Sequence, residues 1–185
     1  MFIQTEATPN PETLKFIPGQ AVLAEGTLDI RDTEKAAASP LASRLFQIDG
    51  VSGVFFASDF IAVTKQDGEW QHLKPAILGV IMEHYISGQP ILEQEGAKID
   101  EDEEFFDEAD VEVVDTIKEL LDTRVRPAVA QDGGDITFQG YKEGIVFLHM
   151  RGACAGCPSS TATLKHGIEN LLRHFIPEVV EVRPV

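Results

Sequence analysis

Apolar positions along the chain fall into two patterned stretches, separated by a run that is almost free of them. In the first stretch, Phe2-Ile3 and Leu14 to Ile17 read as short strands, the second stopped by Pro18-Gly19. Val51 to Phe56 and Phe60 to Thr64 are rich in β-branched and aromatic residues, and Ala57-Ser58-Asp59 between them predicts a hairpin. Leu41 to Phe46 predicts a short helix after Pro40. Leu73, Ile77, Val80, Ile81 and His84 recur at helical spacing and predict a helix from Pro75 to Ser87, with Pro75 in its first turn and Gly88 and Pro90 ending it.

The second stretch has a different order. Val113, Ile117, Leu120, Leu121 and Arg124 mark a helix, the first four forming its apolar stripe, and the helix is expected to stop at Pro127. Ile136 to Tyr141 and Ile145 to Met150 predict a hairpin around the three residues Lys142-Glu143-Gly144. Leu164, Ile168, Leu171 and Phe175 repeat at steps of four, three and four, and Val179 to Val182 follows as a last strand after Pro177. The order is helix, strand, strand, helix, strand. Both helical stripes are core-facing by this reading.

From Glu93 to Glu112 there are eleven acidic residues and one basic residue, Lys98. So dense a like charge cannot form a packed core, which predicts a solvated, self-repelling linker. The expected layout is α+β, with two small α/β-type domains, 1–88 and 110–185, joined by an acidic linker over 89–109.

Charge narrows the function. Fifteen basic and thirty-one acidic residues give a net charge of -16, which repels phosphate backbones and argues against nucleic acid or an anionic membrane as a general partner. No apolar run reaches the ~20 residues of a membrane span. The first residues, Met1 to Glu6, have neither the layout of a signal peptide nor that of a transit sequence, so the expected place is the bacterial cytoplasm, or the mitochondrial matrix for a processed form.

The chain has two cysteines, Cys154 and Cys157, in the run Cys154-Ala155-Gly156-Cys157 at the expected strand-to-helix junction. So close a pair makes a poor structural staple, because a short loop removes little entropy from the unfolded chain. Functional thiols in a reducing compartment are the better reading. Pro158 suits the first turn of the following helix and places Cys157 at or just before its N-cap, where unpaired N–H groups and the helix dipole favour a thiolate; Arg151 adds positive charge nearby. Gly152 and Gly156 permit tight turns, and Ala153 and Ala155 keep the rim small.

Spacing alone leaves three readings of this pair: metal or cluster binding, thiol–disulfide exchange, and no role. Two thiolates do not complete a tetrahedral site, and iron–sulfur clusters are commonly held by four cysteines. A chain with two must borrow the rest from a second copy, a partner protein or small thiols, and an exposed, half-provided site suits a carrier. Structural zinc shared between chains satisfies the same count. No catalytic triad, paired carboxylates or phosphate loop stands out, so the chain is not expected to be an enzyme.

Other candidates have plainer readings. Asp132-Gly133-Gly134-Asp135 is expected to be a turn before a strand, since carboxylates beside an anionic cluster would repel it. The five histidines form no H-x-x-x-H pair; His166, on the helix after the cysteines, is read as solvated or capping. Trp70, the single tryptophan, is read as a packing residue ahead of a helix.

Arg126-Pro127 through Asp132-Gly133-Gly134-Asp135, followed by Gly152 to Ser160, resembles the C-terminal domain of the NifU family of iron–sulfur cluster scaffolds and carriers. Thr8 to Phe16, Ser39-Pro40-Leu41-Ala42, Gly50-Val51 with Val54-Phe55-Phe56, and Asp59-Phe60-Ile61 resemble the N-terminal domain of its Nfu subgroup. The resemblance covers nearly all of the chain. It implies a protein that binds a [4Fe-4S] cluster between two protomers, with [2Fe-2S] as the smaller form, and hands it to apo-proteins. Cys154 and Cys157 carry over as the ligands, the homodimer forms on cluster binding, and the partners are the assembly machinery and apo recipients. The further cysteine-bearing domains of nitrogen-fixation scaffolds are not found in the 185 residues, which favours a late-acting carrier over a protein with its own sulfur source. A thiol–disulfide oxidoreductase or a zinc-binding module is the alternative.

Overall fold

The computed structural model describes residues 2–93, 104–155 and 158–185, with the side chains of 158–160 left aside. Two compact units divide the chain, Met1–Ile99 and Asp100–Val185. Both mix helices and sheet, an α+β fold as expected.

In the first unit, strands β1 (Gln4–Ala7), β2 (Thr13–Ile17), β3 (Leu28–Ile30), β4 (Val51–Phe56) and β5 (Ile61–Lys65) form an antiparallel sheet in the order β1-β2-β5-β4-β3. The β4–β5 hairpin lies where the pattern predicts it. The first strand starts at Gln4, not Phe2, because the Thr8 hydroxyl and the Asn10 carboxamide close a turn that sets its register, Gln4 opposite Ile17. Phe2 is left exposed. Strand β3 and the one-turn helix α1 (Thr33–Ala36) were not expected; three residues show no alternation of their own, and β3 exists through its pairing with β4.

Helix α2 (Pro40–Phe46) is capped by Ser39, whose Oγ accepts from the Ala42 amide. Helix α3 spans Trp70–Ser87, one turn earlier than the predicted start, so Pro75 lies inside the helix. Trp70 begins α3 rather than preceding it, and its indole N–H donates to the Pro11 carbonyl at 3.0 Å. Gly88, with φ of 70°, ends the helix in the left-handed conformation. Ile77 and Ile81 from α3 meet Leu41 and Leu45 from α2 and the inner face of the sheet, including Phe16, Val54 and Phe56.

In the second unit, helix α4 (Val111–Leu120) does not stop before Pro127. A π turn at Leu121–Val125 carries it into α5 (Arg126–Gln131). Proline has no N–H for the carbonyl four residues back, and the wider turn takes the chain past the ring while Leu121 and Val125 stay buried. Strands β6 (Gly134–Lys142) and β7 (Ile145–Gly152) then pair antiparallel. Their turn has two residues, not three: Lys142 pairs with Ile145, and Glu143 and Gly144 both take positive φ, 51° and 80°. Helix α6 (Pro158–Phe175) crosses back, and β8 (Glu181–Pro184) runs parallel to β7, giving the order β6-β7-β8. The predicted helix, strand, strand, helix, strand order holds, with the first helix bent through its π turn.

The acidic stretch is engaged at both ends. Ile91 accepts from Ser39 Oγ, Glu93 N–H donates to the Ala38 carbonyl, and Leu92 packs against the first core. Glu104 to Phe106 dock on the second unit through Phe105. The middle of the expected linker, 94–103, lies outside the described residues.

Candidate functional site

The loop from β7 to α6 holds the cysteine pair. Gly152 leaves the strand with φ of 64°, and the Ala153 amide donates 3.1 Å to the Gly133 carbonyl, tying this loop to the one that enters β6. Cys154 follows, only 5% exposed and packed into the core with Met150 and Ile136. The expected exposed site is therefore corrected at Cys154. A thiol is a small apolar group and fills this space well.

Gly134 makes that space. A Cβ built there would stand 2.6 Å from Cys154 Sγ, 2.9 Å from the Arg151 carbonyl oxygen and 3.1 Å from the Cys154 amide nitrogen. Gly133, with φ of 78°, makes the turn before it. The turn reading of Asp132 to Asp135 is thus right, and it gains a purpose. On the other side, the Thr161 hydroxyl donates to the Cys154 carbonyl at 3.2 Å and fixes the loop to the first turns of α6. Cys157 lies outside the described residues; α6 begins at the next residue, Pro158, as predicted.

Below the loop, Arg126 and Asp135 form a two-pronged ion pair, Nε to Oδ1 at 2.8 Å and Nη2 to Oδ2 at 2.9 Å. Asp135 is 3% exposed and also accepts from the Ile136 amide. The Asp135 carboxylate holds the Arg126 guanidinium pKa above its ordinary value, burial opposes this, and Asp122 adds to it. This pair joins α5 to the start of β6, directly beside Gly134. Sequence reasoning treated Asp135 as part of a turn and missed the pair; an arginine nine residues before an acid, flanking a Gly-Gly turn, was the available signal. Arg151 sits on β7 opposite Asp135.

His166 is exposed on α6, two turns past Pro158 and about 12 Å along the axis, so the structure does not bring it to the cysteine loop. It lines an open depression with Lys165, Glu169 and Glu181 instead. Among the described residues, no three histidine, cysteine or acidic side chains are grouped to hold a metal ion. Cys154 is a soft donor of this loop among the described residues, and α6, which begins at Pro158, follows with a helix N-terminus whose dipole favours anions.

With this geometry in hand, comparison with known proteins is decisive. Residues 3–88 match the Nfu/NifU scaffold N-terminal domain, and residues 117–183 match the NifU-like domain. The chain belongs to the Nfu/NifU family. A relative from Drosophila sechellia, named NFU1 iron-sulfur cluster scaffold homolog, mitochondrial, is 52% identical over 187 aligned positions that take in all of this chain and 65% of the relative. The Drosophila virilis relative of the same name is 51% identical, with 62% of its length covered. The chain thus spans under two thirds of the length of these relatives. The solution structure of a NifU-like protein from Saccharomyces cerevisiae aligns with 51% of this chain and 87% of its own at 25% identity, with a TM-score of 0.47. No helix among the described residues is long and apolar enough to cross a membrane.

Proposed function

We propose that this protein is a scaffold and carrier that takes an iron–sulfur cluster as cargo, holds it between two copies through Cys154 and Cys157, and passes it to recipient apo-proteins. The observation that carries the reading is the position of Cys154. Its loop is clamped between the Gly133 carbonyl and the Thr161 hydroxyl, and Cys154 stands four residues before Pro158, where α6 begins, in a chain with just two thiols. Family membership and the relatives' printed names support the same role.

Each copy contributes two thiolates, so a homodimer supplies the four that a [4Fe-4S] cargo takes, and the four of a [2Fe-2S] cargo as well. Because Cys154 starts buried, loading must draw its sulfur out of the core, and release returns it to a packed apo state that leaves no naked thiolate behind. A carrier benefits from that return. The protein does no bond-breaking chemistry on a substrate in this reading. Its partners are the assembly machinery and apo recipients, in a reducing compartment; the relatives' names, which read mitochondrial, favour a mitochondrial place over a bacterial cytoplasm.

Anaerobic reconstitution tests the role. Iron and labile sulfide should each reach about two per chain, with the mass of the loaded species doubling. An iron-free protein that holds zinc tightly, or one that turns over a disulfide substrate without metal, would replace this reading with the zinc-module or oxidoreductase alternative.

A further inference from the structure

Strand β6 is an edge of its sheet, and an open edge invites pairing with another chain. Here three residues of the acidic stretch cover it. The Phe105 amide donates to the Gln139 carbonyl at 3.1 Å, and the Phe105 carbonyl accepts from the Tyr141 amide at 2.9 Å, so that Phe105 pairs in parallel with Gly140. The ladder between β6 and β7 shifts register between Phe138 and Gly140, leaving Gln139 as the extra residue of a bulge beside this contact.

Gly140 is the floor of a socket. A Cβ there would lie 2.4 Å from Phe105 Cζ and 2.5 Å from both Cε atoms, so the ring occupies the place where any side chain would stand. The same ring packs against Phe147 at 5.1 Å, tilted by 55°, and Phe106 meets Phe138 edge-on at 6.3 Å. Lys118 completes the site, bonding Glu104 at 2.5 Å and lying 5.4 Å and 6.0 Å from the rings of Phe138 and Phe106. Yet the contact is slight: one bridged residue, with Phe105 still 43% and Phe106 38% exposed.

We propose that this β6 edge is a docking site for a partner protein presenting an extended acidic-aromatic segment, and that Glu104 to Phe106 occupy it in the resting chain as a tethered stand-in. The backbone bonds supply affinity without regard to sequence, the Gly140 socket selects an aromatic ring, and Lys118 selects acidic flanks. Tethering gives the internal segment an advantage at high effective concentration, so an outside segment must displace it. The site is separate from the cysteine loop, which adjoins the other end of β6.

The test uses the full chain and a fluorescein-labelled peptide with the sequence of residues 101–110. The Phe105→Ala/Phe106→Ala chain should bind it about tenfold tighter than wild type, more weakly as salt rises, and adding Gly140→Leu should abolish binding. A peptide with its acidic residues changed to Asn and Gln should bind several-fold less well. In wild-type chain, millimolar peptide should shift the amide resonances of Gln139 to Tyr141, a readout that stands even if the double variant folds poorly. No gain in the folded double variant and no shift in wild type would overturn the proposal. An apo dimer of wild-type chains that is lost in the double variant would overturn the partner in favour of a second copy.

Discussion

Gly134 and Cys154 touch so closely that the absence of one side chain sets the position of the other: a Cβ at 134 would reach to 2.6 Å from the sulfur, with backbone on its other sides at 2.9 and 3.1 Å. Neither backbone group can yield as a flexible side chain would. The start of β6 and the cysteine loop are in effect one packed unit.

Gly134→Ala should therefore push Cys154 out of place. We expect a loss of about 1–3 kcal/mol from overpacking, read as a lower melting temperature of the second unit, together with weaker cluster loading under limiting iron. Normal stability and loading would show that the loop relaxes freely around position 134.

Arg126→Met should leave the buried Asp135 carboxylate without the guanidinium that neutralises it. Solvent reaches about a third of the Arg126 side chain, which moderates the effect, so the expected cost is about 2–3 kcal/mol, toward the lower end for a broken buried pair. Chemical denaturation of the second unit measures it. A change under 0.5 kcal/mol would mean that the pair does not hold α5 to β6.

Cys154 in the apo protein should be shielded. With Cys157→Ser in place to isolate it, alkylation by iodoacetamide should run at least about tenfold slower in native than in urea-unfolded chain. Equal rates would place the thiol at the surface and restore the simpler picture of an open site.

The first unit should weaken in acid through His84. Its ring is fully buried on α3, and neither nitrogen has a hydrogen-bond partner among the described residues, although the Gln89 backbone is near enough to oppose the shift in part. Burial lowers its pKa, and the positive charge of Arg44 lowers it further. The unfolded chain then binds a proton that the folded one refuses, so stability is fully present above about pH 6.5 and falls as pH drops from there toward the folded pKa. His84→Met should remove this component. The difference in melting temperature between His84→Met and wild type should grow in favour of the variant between pH 7 and 5.5, and a constant difference would contradict the assignment.

How much of this was legible in the chain depends on where each signal is written. The β4–β5 hairpin and α6 are local patterns, and local pattern was enough for them. The passage of a helix through Pro127 was not, because a proline states that one hydrogen bond is lost but not that a π turn will absorb the loss. Phe105 and Phe106 stood in a run dominated by charge, and their partners, Gly140, Phe147 and Phe138, are more than thirty residues away. The burial of Cys154 has the same origin: it follows from Gly134 twenty positions earlier, and only the paired strands bring the two together.

The central claim is that two chains share one cluster, and mixing tests it directly. Wild-type chains are combined with tagged chains carrying Cys154→Ser and Cys157→Ser, loaded anaerobically, and the loaded species are analysed by native mass spectrometry. A mixed pair offers only two thiolates, so cluster-bearing species should consist of wild-type pairs alone. Stable, cluster-bearing mixed dimers at the statistical proportion would show that one chain suffices with outside thiols, and would contradict the shared site.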